Sequence, residues 1–234
     1  MDLLRLQDVE AFYGESQALF GVSLQVPEGT VVGLLGRNGA GKTTTLKAIM
    51  GLVRVPRGSI AFLGRELRGK RPFEVARLGI GYVPEDRRVF RNLTVLENLR
   101  LAARGAPGDS RWNVETVLGL FPPLRPLLRR PAGFLSGGEQ QMLAIARALM
   151  MNPRLVLLDE PFEGLAPTIV GALRQALMSL RSAGVTIVIC EQNLKSLSGL
   201  VDTVHVLDKG RVSYSGPLPE LEADEELVRR LLAV

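Results

Sequence analysis

Eight consecutive residues, Gly36-Arg37-Asn38-Gly39-Ala40-Gly41-Lys42-Thr43, set glycines, a lysine and a hydroxyl in the order G-x-x-x-x-G-K-T. Glycines let a backbone curl so that successive N–H groups, here those from Gly36 to Gly41, point at phosphate oxygens. A helix opening at this point, with Thr44 in its first turn, adds positive potential for an anion, Lys42 reaches the outer phosphates and the Thr43 hydroxyl suits Mg²⁺. Together they form a site for a nucleoside triphosphate. A second group, Leu155-Val156-Leu157-Leu158-Asp159-Glu160, ends an apolar run on two carboxylates. Asp159 is suited to hold Mg²⁺ through water, and Glu160 to polarise the water that attacks the γ-phosphate, a role worth roughly 10²- to 10⁴-fold in rate. The third group is Ser136-Gly137-Gly138-Glu139. It reads as a capping box followed by glycines, and equally as an anion site at a helix start. A second anion site beside a phosphate loop suggests the γ-phosphate of a nucleotide held by another subunit.

The elements that must position these groups alternate between two periods. Apolar runs at Val31–Leu35, Leu155–Leu158 and Val185–Cys190 read as strands, each followed by a helical pattern near Thr43, Thr168 and Asn193. Strands apolar on both faces belong to a largely parallel sheet covered by helices, whose ligands sit at the strands' C-terminal ends. Ser23–Val26, the turn Pro27-Glu28-Gly29, and Ser59–Leu63 read instead as antiparallel strands, which predicts a small β appendage. From Leu93 to Met150 there is no strong strand run. Thr94 and Glu97 form a capping box that opens a helix ending at Gly105, so residues of about 87–150 are expected to make an inserted helical subdomain. Gly105–Ser110 reads as a turn, residues 1–234 as one domain with subdomains, and Glu220–Val234 as one short amphipathic helix.

Composition narrows the class without naming a partner. The 234 residues carry 46% hydrophobic and 23% charged side chains, an ordinary globular balance, and a mild net charge of +5. The single cysteine, Cys190, argues against a secreted, disulfide-built domain, and a reducing cytoplasm fits. The first residues, Met1 to Asp8, show no long apolar stretch of a signal peptide, and no apolar run approaches the ~20 residues that cross a bilayer. A membrane role therefore calls for a partner chain. Cys190 and the sole histidine, His205 in the expected strand Thr203–Leu207, are read as structural.

Leu135-Ser136-Gly137-Gly138-Glu139-Gln140-Gln141 stands about twenty residues before Leu157-Leu158-Asp159-Glu160, and the phosphate loop precedes both. In this order, across nearly the whole chain, the sequence resembles the ATP-binding cassette ATPases. The resemblance implies an α/β fold: a P-loop NTPase (RecA-like) core with a mainly parallel sheet, an antiparallel β-subdomain and an inserted helical subdomain. It implies ATP with Mg²⁺, and a head-to-tail dimer in which Ser136, Gly137 and Gly138 complete the site across the interface. Tyr13 matches the aromatic that stacks on adenine, and Gly164-Leu165-Ala166-Pro167 resembles the loop crossing that interface, with Ala166 where many members carry aspartate.

Two further positions depart from the common family pattern. Tyr82-Val83-Pro84-Glu85 stands where most members end in glutamine, and Glu191-Gln192-Asn193 carries Gln192 at the usual histidine. Glu85 can still approach the metal as an oxygen ligand; Gln192 can donate an amide hydrogen bond to the γ-phosphate but cannot exchange protons. The catalytic set is then Glu160, Lys42 and Gln192, with Glu160 the only base, and the metal set Thr43, Asp159 and Glu85. These departures, with Arg87-Arg88-Val89-Phe90 and Leu93-Thr94-Val95, resemble the second ATP-binding subunit of branched-chain amino acid importers, with urea, short-amide and lipopolysaccharide-export relatives similar. The resemblance implies a second ATPase subunit, like or unlike this one, transmembrane permease subunits, a solute-binding protein acting indirectly, and a peripheral place on the cytoplasmic face of the membrane. Glu85, Val89, Phe90 and Leu93 are expected to form the groove for a permease helix. The basic run Arg54, Arg57, Arg65, Arg68, Lys70 and Arg71 invites a DNA- or ribosome-directed reading, but the short gap between loop and signature and the single cassette speak against it, and nucleic acid is not expected as a partner.

Overall fold

The computed structural model describes residues 2–103 and 111–232, so the expected helix end at Gly105 and the turn Gly105–Ser110 lie outside the described residues. The chain gathers into two compact units, Met1–Leu78 with Thr186–Val234, and Gly79–Val185.

In the first unit, alternating buried and exposed residues form β1 (Asp2–Tyr13), which pairs antiparallel with β2 (Ser16–Pro27). The all-buried run β3 (Val31–Leu35) follows, then α1 (Lys42–Ile49), β4 (Arg54–Phe62), β5 (Arg65–Glu66) and α2 (Pro72–Arg77). Strands β2-β1-β4-β5 make an antiparallel sheet. This is the expected β appendage, longer than the sequence suggests: β1 has no clean apolar run, and its register shifts near Asp8, where φ is +48°.

The second unit opens on β6 (Ile80–Val83) and continues through α3 (Val95–Ala103), α4 (Val114–Leu120), two 3₁₀ turns at Pro122–Leu127 and Ala132–Phe134, α5 (Gly137–Leu149), β7 (Leu155–Asp159) and α6 (Pro167–Ser182). Strands β6 and β7 run parallel. Between them the described residues hold helices and one isolated bridge, Thr94 to Pro131, but no longer strand. Thr94 caps α3 as its sequence suggests: its hydroxyl accepts from Glu97 N at 3.2 Å and Glu97 Oε2 accepts from Thr94 N at 2.8 Å.

The chain then returns to the first unit with β8 (Thr186–Glu191), α7 (Leu194–Leu197), β9 (Thr203–Asp208), β10 (Arg211–Pro217), α8 (Leu218–Ala223) and α9 (Glu225–Leu232). β3 lies parallel between β8 and β9, and β10 closes antiparallel on β9. The single C-terminal helix expected from the sequence is two helices. Asp224 leaves helical geometry (φ −106°, ψ 85°), and its carboxylate accepts from Leu227 N at 2.8 Å, which caps α9 and ends α8.

Candidate functional site

In the first unit the phosphate loop leaves β3, and space is tight at two of its three glycines, Gly36 and Gly41, while Gly39 lies open. A Cβ at Gly36 (φ +154°) would lie 2.5 Å from the Leu207 carbonyl oxygen, and one at Gly41 (φ +111°) 2.8 Å from Leu19 Cδ2. Gly41 is also the left-handed cap of α1, whose first turn carries no acid, so that helix end keeps its affinity for anions. The loop is tied by Ala40 N to Arg37 O at 3.1 Å and by Gly210 N to Ala40 O at 2.9 Å. Lys42 is buried, and its ammonium donates to Gly36 O at 2.8 Å and Arg37 O at 3.2 Å, so the cation lies along the loop's own carbonyls. Tyr13 ends β1 and is 46% exposed as a residue, its hydroxyl 3.4 Å from Thr44 Oγ1 and the Lys47 ammonium 5.9 Å from its ring centroid. An exposed ring beside a phosphate loop is placed to stack on a base. Leu35 pairs with Glu191 in register, so Gly36 and Gln192 leave the sheet at the same edge.

In the second unit Val83 pairs with Leu158, so Glu85 and the pair Asp159-Glu160 also leave their strands at one edge. Asp159 is 1% exposed and accepts from the Tyr82 hydroxyl at 3.2 Å. Glu160 is 9% exposed and held at φ +47°, a left-handed conformation that a non-glycine residue adopts at a cost of about 1 kcal/mol or more. Ser136 caps α5 through Glu139: its hydroxyl accepts from Glu139 N at 3.3 Å and its own N–H donates to Glu139 Oε2 at 2.7 Å. Behind it Gly138 has little room, since a Cβ there would meet Ile169 Cγ2 at 2.6 Å, whereas one at Gly137 would meet only the movable tip of Arg87.

Several residues with structural weight around these groups carry no sequence signal. Asn98 is fully buried on α3; its side chain accepts from Phe90 N at 3.0 Å and donates to the carbonyls of Phe90, Leu93 and Thr94. Arg147 on α5 donates to Arg88 O at 2.7 Å and lies 4.8 Å from the Phe90 centroid, while its buried Nη1 has no hydrogen-bond partner among the described residues and burial pulls its pKa below the usual guanidinium range. These contacts hold residues 87–93, where Arg87 (φ +62°) and Arg88 (φ +45°) are both left-handed. Phe90 is 48% exposed and Val89 half-buried. His205 is structural in its contacts: Nδ1 lies 2.7 Å from Ser215 Oγ and Nε2 3.3 Å from Gln25 O.

Residues 19–163 match the model of the ABC transporter family. The chain belongs to that family. Among its relatives, the high-affinity branched-chain amino acid transport ATP-binding protein BraG of Pseudomonas aeruginosa is 44% identical over 211 residues, 90% of this chain and 91% of that one. The lipopolysaccharide export system ATP-binding protein LptB of Acidithiobacillus ferridurans is 37% identical over 98% of this chain and 96% of its own. The ADP conformation of MJ1267, an ATP-binding cassette of an ABC transporter, superposes with a TM-score of 0.84 at 29% identity over 98% of both chains. The fold is accordingly that of a P-loop NTPase cassette, and the protein is a nucleotide-binding ABC ATPase subunit whose ATPase activity is coupled to transport. Among the described residues no helix is long and apolar enough to cross a membrane.

Proposed function

We propose that this ATPase powers uptake of branched-chain amino acids, acting at the cytoplasmic face of the membrane on transmembrane permease subunits that a solute-binding protein supplies. Glu160 accepts a proton from water as the water oxygen bonds to the γ-phosphorus and the bond to the departing ADP breaks. Lys42 and the N–H groups from Gly36 to Thr44 stabilise the phosphate charge, and the Gln192 amide donates to the γ-phosphate. The crowded glycine cradle and the anion-seeking start of α1 fit a triphosphate. Mg²⁺, when bound, neutralises charge on the β- and γ-phosphates. Thr43 and Asp159 would hold it, with Glu85 as a further oxygen donor, a set that suits an ion taking one or two carboxylates beside phosphates and water.

A second cassette, a copy of this chain or a related subunit, completes the site by presenting Ser136, Gly137 and Gly138 to the γ-phosphate. Closure on ATP and opening after hydrolysis move the permease subunits, with residues 85–93 as their docking segment. The observation that carries the substrate assignment is the 44% identity to BraG over 90% of this chain. Export of lipopolysaccharide is a second reading, favoured by the 37% identity to LptB. Radiolabelled leucine uptake in cells lacking this chain separates the two. Wild type should restore uptake and Glu160→Gln should not; unchanged leucine uptake together with defective lipopolysaccharide export would favour the second.

A further inference from the structure

We propose that the outer edge of the antiparallel sheet in the first unit is a membrane-facing surface that takes the anionic headgroups of a phospholipid bilayer. Between Leu52 and Arg77 the chain carries seven Lys or Arg against two acids, a net +5 that equals the formal charge of the whole protein. The rest of the chain is balanced, so the excess lies in one place.

The basic residues are neighbours in space as well as in sequence. The Arg68 guanidinium donates to Pro56 O at 3.2 Å, which brings the chain just after β5 against the start of β4. Gly51 admits no side chain because a Cβ would lie 2.3 Å from Lys70 O, so Leu52 sits beside Lys70 and Arg71. Arg71 and Arg77 both lie over Phe73, at 4.5 and 5.3 Å from its centroid. The two acids are turned to local donors: Glu66 accepts from Ser59 Oγ, Ile60 N and Arg68 N, and Glu74 from Arg71 N and Nε. Arg71 is ion-paired with Glu74 at 3.1 Å and Arg57 with Glu10 at 3.8 Å, while Arg65, Arg68 and Arg77 are exposed cations.

Apolar side chains stand among these cations. Leu52 is 48% exposed, Leu63 38% and Phe73 46%. A basic surface with exposed Phe and Leu fits the bilayer interface, where cations meet headgroups and apolar groups enter the acyl boundary. Nucleic acid shares the phosphate chemistry but binds single strands through aromatic faces open to bases, and the Phe73 ring already carries two guanidinium groups. None of these residues belongs to the proposed nucleotide site, so this surface and the transport reading stand or fall separately.

The test is sedimentation of the purified full chain with phosphatidylcholine vesicles, and with vesicles containing one-third phosphatidylglycerol, at low and high salt. The chain should bind the anionic vesicles, more weakly as salt rises, and bind neutral ones little. Each neutralised cation should weaken partitioning about fivefold, so Arg65→Gln, Arg68→Gln, Lys70→Gln combined should lose on the order of 100-fold. Phe73→Ser, with folding checked by circular dichroism, should remove binding that survives high salt. ATPase activity should stay at the wild-type level in both variants. Equal binding to both vesicle types, or binding indifferent to the triple substitution, would overturn the proposal. So would competition by inorganic phosphate at matched ionic strength, which would indicate an ion site, or preference for an oligonucleotide at equal phosphate concentration.

Discussion

The phosphate loop and the segment from Glu85 to Phe90 are both irregular backbone leaving the end of a buried strand, yet they are held by opposite means. The loop is shaped by its own chain: glycines where a Cβ would collide, a backbone bond from Ala40 to Arg37, and Lys42 bonded to carbonyls five and six residues back. The segment has no glycine. Arg87 and Arg88 take left-handed conformations that are unfavourable for them, and side chains from distant helices, Asn98 on α3 and Arg147 on α5, fix the result. A site that must cradle phosphate can be written locally, whereas one proposed to sense a partner is tied to the helices that would move with it.

That difference predicts how each region breaks. Gly36→Ala puts a methyl group 2.5 Å from a backbone oxygen that cannot retreat, and should weaken ATP binding on the order of 100-fold while leaving the second unit folded. Equilibrium titration with a fluorescent ATP analogue measures it, and binding within threefold of wild type would mean that the loop is not locally determined. Asn98→Ala should do the reverse. Removing an amide that satisfies four backbone groups should cost about 2–3 kcal/mol and lower the melting temperature by roughly 5–10 °C, with ATP affinity unchanged.

The smallest expected effect lies at His205, where burial lowers the imidazole pKa despite an opposing hydrogen bond to Gln25 O. The folded state therefore binds fewer protons than the unfolded chain, whose histidine titrates near 6.5. The contribution is present above about pH 6.5 and is lost as pH falls below it. Denaturant midpoints at pH 7.5 and 5.5 should fall further for wild type than for His205→Gln; equal falls would show that the ring is not buried neutral.

The same contrast explains what was legible in the sequence. Val31–Leu35 is observed as read, Ser136 and Glu139 form the expected capping box, and the crowded glycines lie where the motif puts them, because strand period, cap chemistry and glycine spacing are local rules. β1 was not legible, since its alternation is interrupted at Asp8 and its partners β2 and β4 come later in the chain. Neither were Asn98, Arg147 or the Tyr82 bond to Asp159, whose partners lie 4 to 77 residues away and whose residue types are common on any helix or strand. The break at Asp224 leaves no sequence signal, because an Asx cap and a solvated helical acid look alike in sequence.

Glu160, nearly buried just past the end of β7, is the proposed base for ATP hydrolysis. Steady-state hydrolysis by Glu160→Gln, measured beside its ATP affinity, isolates that role. A rate lower by about 10²- to 10⁴-fold with ATP still bound at wild-type affinity is the predicted result. A rate within threefold of wild type would contradict it.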